Sequence, residues 1–355
     1  MKKSITGNKY VLVIGGAGYI GTHVVEQLLI RNYRVRIFDQ FVFGLHDISD
    51  LLNNPNLDIV RGDISRLNEL IKAFKDIQTV VHLAGLVGDP ACAIDKEFTI
   101  HTNIASTSII KDVSKTFSIS RFIFASSCSV YGSSEKKVNE TSKLNPVSLY
   151  AKTKIDSENQ LLNDHDRNFH PVILRFATAF GHSRRPRFDL ITNYFSAQAY
   201  NEGIVTVTGS KQWRPFIHAR DLALAIVKTI EAPENIVNRQ IINVGDERLN
   251  ATIGDLAQKV ITVIPITKNG TKTKIITKID TGDKRNYFVS FEKIKRVLGF
   301  KSTISIEDGI REIYNNFKNG IYPRSFRDPR YINSEMTKLL REEYKSLSKV
   351  AKLSK

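Results

Sequence analysis

Cysteine is almost missing from this chain: of 355 residues only Cys92 and Cys128 carry a thiol. A disulfide framework is therefore excluded as a folding strategy, and because neither thiol stands in a metal-ligand spacing, no metal site is expected. Long apolar runs are missing too. None approaches the roughly 18 residues that span a bilayer, and Met1 to Asn8 leads into the first apolar run without the hydrophobic region of a signal peptide. The expected site of action is the cytoplasm, without stable membrane insertion. No low-complexity tract and no internal repeat appears. A hydrophobic content of 41% and a charged content of 25% describe an ordinary globular protein, long enough for one large domain or two intimately joined ones.

Acidic residues are scarce relative to basic ones, 36 against 52, a net charge of +16. The deficit is uneven. Residues 1–175 carry 21 basic and 18 acidic side chains (+3), and residues 176–355 carry 31 and 18 (+13). Such a surplus suits nucleic acid, anionic lipid or an anionic small molecule. No basic-aromatic nucleic-acid module accompanies it, so a polyanionic small-molecule substrate bound by the second half is expected, with no nucleic-acid partner. Part of the surplus lies in Tyr331 to Lys355, which reads as a solvated basic helix or tail carrying Lys338, Arg341, Lys345, Lys349, Lys352 and Lys355.

What is present begins with glycine. Tyr10 to Ile14 is an apolar run of strand length, Gly15-Gly16-Ala17-Gly18-Tyr19-Ile20-Gly21 follows at once, and Ile20, Val24, Val25, Leu28 and Leu29 then recur at helical spacing. In a strand, turn and helix of this kind Gly15 permits the tight turn, Gly18 lets the backbone approach a pyrophosphate, and Gly21 allows close packing of helix on strand, with helix N–H groups facing the anion. A second strand, Arg34 to Phe38, ends in Asp39, eighteen residues after Gly21. A carboxylate there would hold a ribose 2′-hydroxyl and repel a 2′-phosphate, which reads as NAD rather than NADP.

Alternation continues through the first half, with strands expected at 57–61, 79–83, 121–125 and 171–175 and helices at 67–74, 98–116 and 149–164. The fold class is therefore α/β, a doubly wound parallel sheet. Residues 1–176 are expected to form the NAD-binding domain, with segments near 215–245 returning to it. Residues 177–330, with helices near 189–201, 221–231, 252–264 and 305–318, form a smaller C-terminal substrate-binding region.

Ser127, Tyr150 and Lys154 are the candidate catalytic group. Tyr150 and Lys154, at i and i+4, share a helix face. Tyrosine ordinarily titrates near pH 10, but a nearby ammonium and a cationic nicotinamide ring would both favour the phenolate. That base could take a proton from a substrate hydroxyl while the adjacent carbon gives up hydride, with Ser127 bonded to the same oxygen. A second Tyr-x-x-x-Lys pair, Tyr314 and Lys318, lacks the preceding serine-bearing strand.

The G-x-x-G-x-x-G turn, Leu83-Ala84-Gly85, Phe124 to Gly132, Leu174 to Gly181 and Trp213 to Asp221 together resemble the extended short-chain dehydrogenase/reductases, and within them the NAD-dependent epimerase/dehydratase family acting on nucleotide sugars. This resemblance covers about residues 10–320. It implies a Rossmann fold and cofactor contacts at Gly15, Gly18, Tyr19, Ile20, Asp39, Asp63, Ile64, Leu83, Ala84, Gly85, Asn103, Tyr150, Lys154 and Phe176. It implies catalysis by Ser127, Tyr150 and Lys154, handling of a substrate diphosphate by Thr178, Arg214 and Arg285, and approach to the nucleotide by Asp189. It also suggests a homodimer through the helices near 98–116 and 149–164. Arg214, between Trp213 and Pro215, suits bidentate diphosphate binding; the competing reading is an ion pair with Asp221.

In the 4,6-dehydratases an Asp-Glu pair follows the catalytic hydroxyl, and decarboxylating members carry a Glu two residues after it. Here Cys128 and Ser129 stand instead. The reading is a nucleotide-sugar 4-epimerase, the alternatives being a 4-dehydrogenase or 4-ketoreductase that stops after one hydride transfer, or a non-catalytic NAD-binding sensor. A lysine found after Leu-Ala-Gly-Leu in UDP-galactose 4-epimerases is replaced by Val87 and Gly88-Asp89, and Thr178 replaces a usual asparagine, which leaves the sugar open. His82 and His218 read as structural.

Overall fold

The computed structural model describes residues 10–166, 168–278 and 282–342. Its strands are β1 (Tyr10–Ile14), β2 (Arg34–Asp39), β3 (Leu57–Arg61), β4 (Ile77–His82), β5 (Arg121–Ser127), β6 (Pro171–Phe176), β7 (Thr178–Phe180), β8 (Ile204–Val207), β9 (Trp213–His218), β10 (Ile241–Val244), β11 (Asn250–Thr252) and β12 (Lys274–Thr277). Seven of them form a parallel sheet in the order β10-β6-β5-β4-β1-β2-β3. The sequence explains why this sheet is covered on both faces. Along β1, Val11 and Val13 point into one buried apolar cluster while Leu12 and Ile14 point into another, as the period of two requires.

Helices supply the two layers. In chain order they are α1 (Gly21–Ile30), α2 (Leu67–Ala73), α3 (Asp89–Cys92), α4 (Lys96–Ile100), α5 (Ser106–Thr116), α6 (Leu149–Leu162), α7 (Ile191–Glu202), α8 (Ala219–Glu231), α9 (Glu234–Val237), α10 (Ile253–Val263), α11 (Glu292–Leu298) and α12 (Ile306–Lys318). Val24, Val25 and Leu28 of α1 share the first cluster with Leu222, Ile226 and Ile230 of α8. Leu70 of α2, Ile110 of α5 and Leu161 of α6 share the second. The helix expected over 98–116 is α4 and α5 joined by a π-turn, His101–Ala105, a local widening often found at functional sites. It leaves the Asn103 carbonyl accepting from both Thr107 and Ser157 hydroxyls.

The return of segments 215–245 is only partly as expected. α8 and β10 do cover and extend the main sheet, but β9 belongs to a separate three-stranded sheet, β11-β9-β7. The reason lies at the end of β6: one residue, Ala177, separates it from β7, which carries the chain past the sheet's C-terminal edge, and β9 pairs in parallel with β7 there. Around this small sheet, β8, α7, α10 and α12 enclose a third apolar cluster. Both α10 and α12 start at reciprocal capping boxes, Thr252 with Asp255 and Ser305 with Asp308.

The C-terminal expectation also changes. Residues 333–342 are helical, but Tyr331, Met336 and Thr337 are buried against the body rather than solvated. Met336 and Leu340, four apart, fall on one face of this helix, and Leu340 packs against Leu86, Cys92, Phe98 and Tyr150. Lys345, Lys349, Lys352 and Lys355 lie outside the described residues.

Candidate active site

The glycine turn is shaped by contacts that forbid side chains. Gly15 has φ +85°, and a Cβ on it would come within 2.7 Å of the Ala84 amide nitrogen. A Cβ on Gly21 would stand 2.2 Å from the Gly15 carbonyl oxygen, so it is the turn itself, more than the strand, that α1 packs against. At Gly18 an added Cβ would meet one atom within 4 Å, the Gly15 oxygen at 3.2 Å. This leaves the face of the turn at the α1 N-terminus open to a ligand, the cradle a pyrophosphate needs. Leu83 and Ala84 both donate to the Ile14 carbonyl. Asp39 closes the turn's other side: its carboxylate accepts from the Ala17 and Phe41 amides at 3.0 and 2.9 Å. Burial lifts its pKa despite those bonds. These residues fit a dinucleotide.

Other expected cofactor residues take different positions. Tyr19 donates from its hydroxyl to the Gly181 carbonyl at 2.7 Å, tying the turn to the chain beyond β7. Asp63 accepts from Ser65 in the turn after β3, and Ile64 is buried beside it. Phe176 ends β6 within the first cluster. Asn103 is committed to protein partners: its amide oxygen accepts from the Leu86 amide at 2.8 Å, and its nitrogen donates to the Leu86 carbonyl at 3.0 Å and to the Thr153 hydroxyl at 3.2 Å. It pins the loop after β4 to α6. Gly85 is required because a Cβ there would stand 2.9 Å from that same amide oxygen.

The catalytic group is assembled from two regular elements. Ser127 ends β5, and Tyr150 and Lys154 lie on α6, whose N-cap is Ser148. The Ser127 side chain lies near enough to the Tyr150 phenol to pull its pKa down, and its hydroxyl accepts from the Ser129 amide at 3.1 Å. Lys154 donates to the Ala125 carbonyl at 2.8 Å, and its ammonium stands 4.7 Å from the Phe124 ring centroid and 5.8 Å from that of Tyr150. One turn further along the same face, Glu158 meets Arg175 of β6 in a bidentate pair, at 3.0 and 2.6 Å. Both side chains are 3% exposed, and Ser126 also donates to Glu158. Sheet and helix are thereby locked in one register.

The electrostatics correct one expectation. In the chain alone burial dominates: it drives the Tyr150 phenol well above its ordinary range, with the Ser127 bond pulling the other way. Lys154 is pushed down to about 8, again by burial. The lysine therefore does not by itself produce a phenolate, because desolvation of the charged form outweighs it.

The structure brings Arg214 and Arg285 together around Asp283. Arg214 pairs with Asp283 at 3.0 Å and donates to the Arg285 carbonyl. Arg285 pairs with Asp283 at 2.7 Å and with Asp89 at 3.2 Å. The alternative partner, Asp221, is elsewhere, accepting from Ser302, Thr303 and Ile304. Thr178 opens β7 and is paired with Phe216 of β9. Asp189 accepts from Arg187, at 3.0 and 2.8 Å, and from the Asn333 amide at 3.1 Å.

Asp89, Asp283 and Arg187 were missed in the sequence. The charges of Asp89 and Arg187 both act on the Tyr150 phenol, but Asp89 opens the four-residue α3 and Arg187 sits in a loop, where no periodicity marks them. His82 bonds Thr107 within the sheet layer, and His218, last residue of β9 and N-cap of α8, bonds Glu312 at 2.8 Å. Both are structural. Among the described residues no group of three His, Cys, Asp or Glu could hold a metal, and no helix is long and apolar enough to cross a membrane.

Comparison with known proteins agrees with this geometry. The structure of UDP-glucuronic acid 4-epimerase from Bacillus cereus, in complex with UDP-glucuronic acid and NAD, superposes with a TM-score of 0.75 at 26% identity, over 87% of this chain and 99% of that one. UDP-glucose 4-epimerase 3 of Oryza sativa subsp. japonica is 27% identical over 348 residues, 88% of this chain and 90% of its own. A dTDP-D-glucose 4,6-dehydratase of Mus musculus is 26% identical, over 88% and 91%. Residues 11–245 match the model of the NAD dependent epimerase/dehydratase family. With its glycine cradle, its Ser-Tyr-Lys group and its seven-stranded parallel sheet, the chain belongs to that family and uses NAD as its cofactor.

Proposed function

We propose that the protein is a nucleotide-sugar 4-epimerase. The observation that carries the reading is Asp89, which pairs with Arg285 at 3.2 Å and whose charge also acts on the Tyr150 phenol, so that the Ser127, Tyr150 and Lys154 group and the Arg214–Arg285 pair share a neighbour. A proton-transfer group would thus lie near a cationic pair suited to a diphosphate.

NAD, which the Gly15–Gly21 turn and Asp39 would hold, would supply the hydride acceptor and donor. Ser127 opposes the burial that holds the Tyr150 phenol protonated. Tyr150 then takes the proton of the sugar's 4-hydroxyl, with Ser127 bonded to the same oxygen, and returns it after the keto sugar has presented its other face. Lys154, anchored on the Ala125 carbonyl, keeps the phenol oriented and contributes its charge. Arg214 and Arg285 hold the diphosphate while the sugar turns. Because Cys128 and Ser129 carry no carboxylate, the site has no acid-base pair at the positions that dehydration or decarboxylation uses.

The test is mass-resolved chromatography of UDP-, GDP-, CDP- and dTDP-sugars incubated with the protein and substoichiometric NAD. The expected product has unchanged mass and altered retention. A product two hydrogens lighter, in no greater amount than the NAD supplied, overturns epimerisation in favour of a dehydrogenase.

A further inference from the structure

Three arginines follow β7 in the segment Ser183-Arg184-Arg185-Pro186-Arg187. Two of them have carboxylate partners: Arg184 pairs with Glu26 at 2.7 Å and with Asp50 at 2.6 Å, and Arg187 pairs with Asp189 at 2.8 Å. Arg185, between them, is 3% exposed. No carboxylate among the described residues pairs with it, its Nε is buried without a hydrogen-bond partner, and its one described bond is a long one to the Arg330 carbonyl, 3.4 Å. Burial, and then Arg187, push its pKa down to about 9 against the charges of Asp189, Asp47 and Asp39, so it is still a cation at neutral pH. A buried charge left unpaired works against folding, and its counter-charge is to be sought in a ligand.

The surroundings of Arg185 identify that ligand. Its guanidinium carbon lies 3.7 Å over the centroid of the Phe43 ring, in the loop that follows Asp39 at the end of β2. Two residues earlier, the Ser183 hydroxyl donates to the Tyr19 carbonyl at 2.7 Å and bonds the Thr22 hydroxyl at 3.1 Å, which ties the segment to the glycine turn and the start of α1. Two residues of chain span at most ~7 Å, so Arg185 stands within reach of the turn. Gly15 to Thr22 themselves carry no cation. We infer that Arg185 is a cofactor-binding residue whose guanidinium takes the pyrophosphate of NAD. The second region thereby supplies the charge that the backbone amides of the turn lack. A planar guanidinium backed by an aromatic ring keeps its N–H edge for two parallel bonds to phosphate oxygens. Asp39, whose charge reaches Arg185, disfavours a 2′-phosphate as the partner. The inference goes beyond the epimerase reading and concerns the cofactor alone, so it stands or falls without any sugar.

The experiment is calorimetric titration of the full chain, freed of bound nucleotide, with NAD, ADP-ribose, adenosine and NADP. It uses wild type, Arg185→Met and Arg185→Lys, with thermal unfolding of each protein alongside. Arg185→Met should weaken NAD and ADP-ribose alike, by roughly tenfold to a hundredfold, and leave adenosine, which has no phosphate, unchanged. Arg185→Lys should recover part of that loss, because it keeps the charge but not the fork. Since the methionine removes an unpaired buried charge at similar volume, its unfolding midpoint should not fall below that of wild type. Should it fail to fold, Arg185→Lys decides: ADP-ribose weakened with adenosine unchanged supports the assignment. Adenosine weakened as much as ADP-ribose, or NAD weakened without ADP-ribose, overturns it. Unchanged affinity for all four ligands makes Arg185 a structural arginine over Phe43 and overturns it too. So does a loss confined to NADP, which would make the 2′-phosphate its partner.

Discussion

The two sides of the active site are built by opposite means. Ser127, Tyr150 and Lys154 stand on the end of a strand and the first turns of a helix, and the Glu158–Arg175 pair behind them is almost fully buried. Arg214 and Arg285 stand on a short strand and a loop, held by Asp283, whose side chain is 38% exposed. A proton-transfer group must keep its geometry to a fraction of an ångström. A diphosphate clamp needs charge in the right place and tolerates adjustment.

The largest effect expected from breaking this contrast is on the catalytic side. Tyr150→Phe removes the proton acceptor and should lower kcat by roughly 10²–10⁴-fold with little change in NAD affinity, measured by turnover and by titration with the cofactor. Full activity in that variant would move the chemistry off this tyrosine. Next, Glu158→Ala leaves a buried guanidinium uncompensated and should cost about 3–5 kcal/mol of stability, read from the denaturant midpoint. A loss below about 1 kcal/mol would mean that the pair is no more than a surface bridge.

On the clamp side, Arg214→Ala and Arg285→Ala should act on KM rather than on folding. Each removes a charge-assisted contact worth about 1.5–3 kcal/mol, so KM for the nucleotide sugar should rise roughly tenfold to a hundredfold while kcat changes little. An equal fall in kcat would show that the arginines also shape the catalytic side.

The smallest effect is in acid, and here the two regions should separate by pH window. In the first half, burial pushes His23 down to about 4 and His82 down to about 3. Both stay neutral in the native state while the unfolded chain takes up protons below its ordinary histidine pKa of about 6.5. Stability therefore falls as pH drops through 6.5 towards 4 and 3. In the second half Glu312 is brought down to about 2, burial being outweighed by His218 and the other bonds it accepts. Its contribution is complete above about 4.5 and is lost as pH falls through 2. Unfolding curves of Glu312→Gln should lose the lower window and keep the upper one; loss of both would show the two halves titrating as one unit.

Much of the first half was legible because its elements repeat a simple pattern. Tyr10 to Ile14 and Phe122 to Ala125 are apolar runs of strand length, and the helices between strands show one apolar face, so the sheet and the placement of Ser127, Tyr150 and Lys154 could be read in advance. Arg214 and Arg285 were found by family resemblance and by the charge surplus, but their shared partner Asp283 was not. Asp89 meets Arg285 across nearly two hundred residues of chain, a contact that no local pattern records. The separate sheet around β9 was missed for a similar reason: its strands are three to six residues long and pair only with one another.

By itself the sequence determined the dinucleotide turn and the alternating fold, because each depends on steric and periodic rules that act within about twenty residues. Tertiary structure alone decided three things: that burial rather than Lys154 governs Tyr150 in the bare chain, that Asn103 and Asp189 serve protein partners, and that residues 333–342 close against the site instead of trailing in solvent. Those outcomes follow from which groups are removed from water together, and desolvation depends on neighbours that the chain brings in from far along its length.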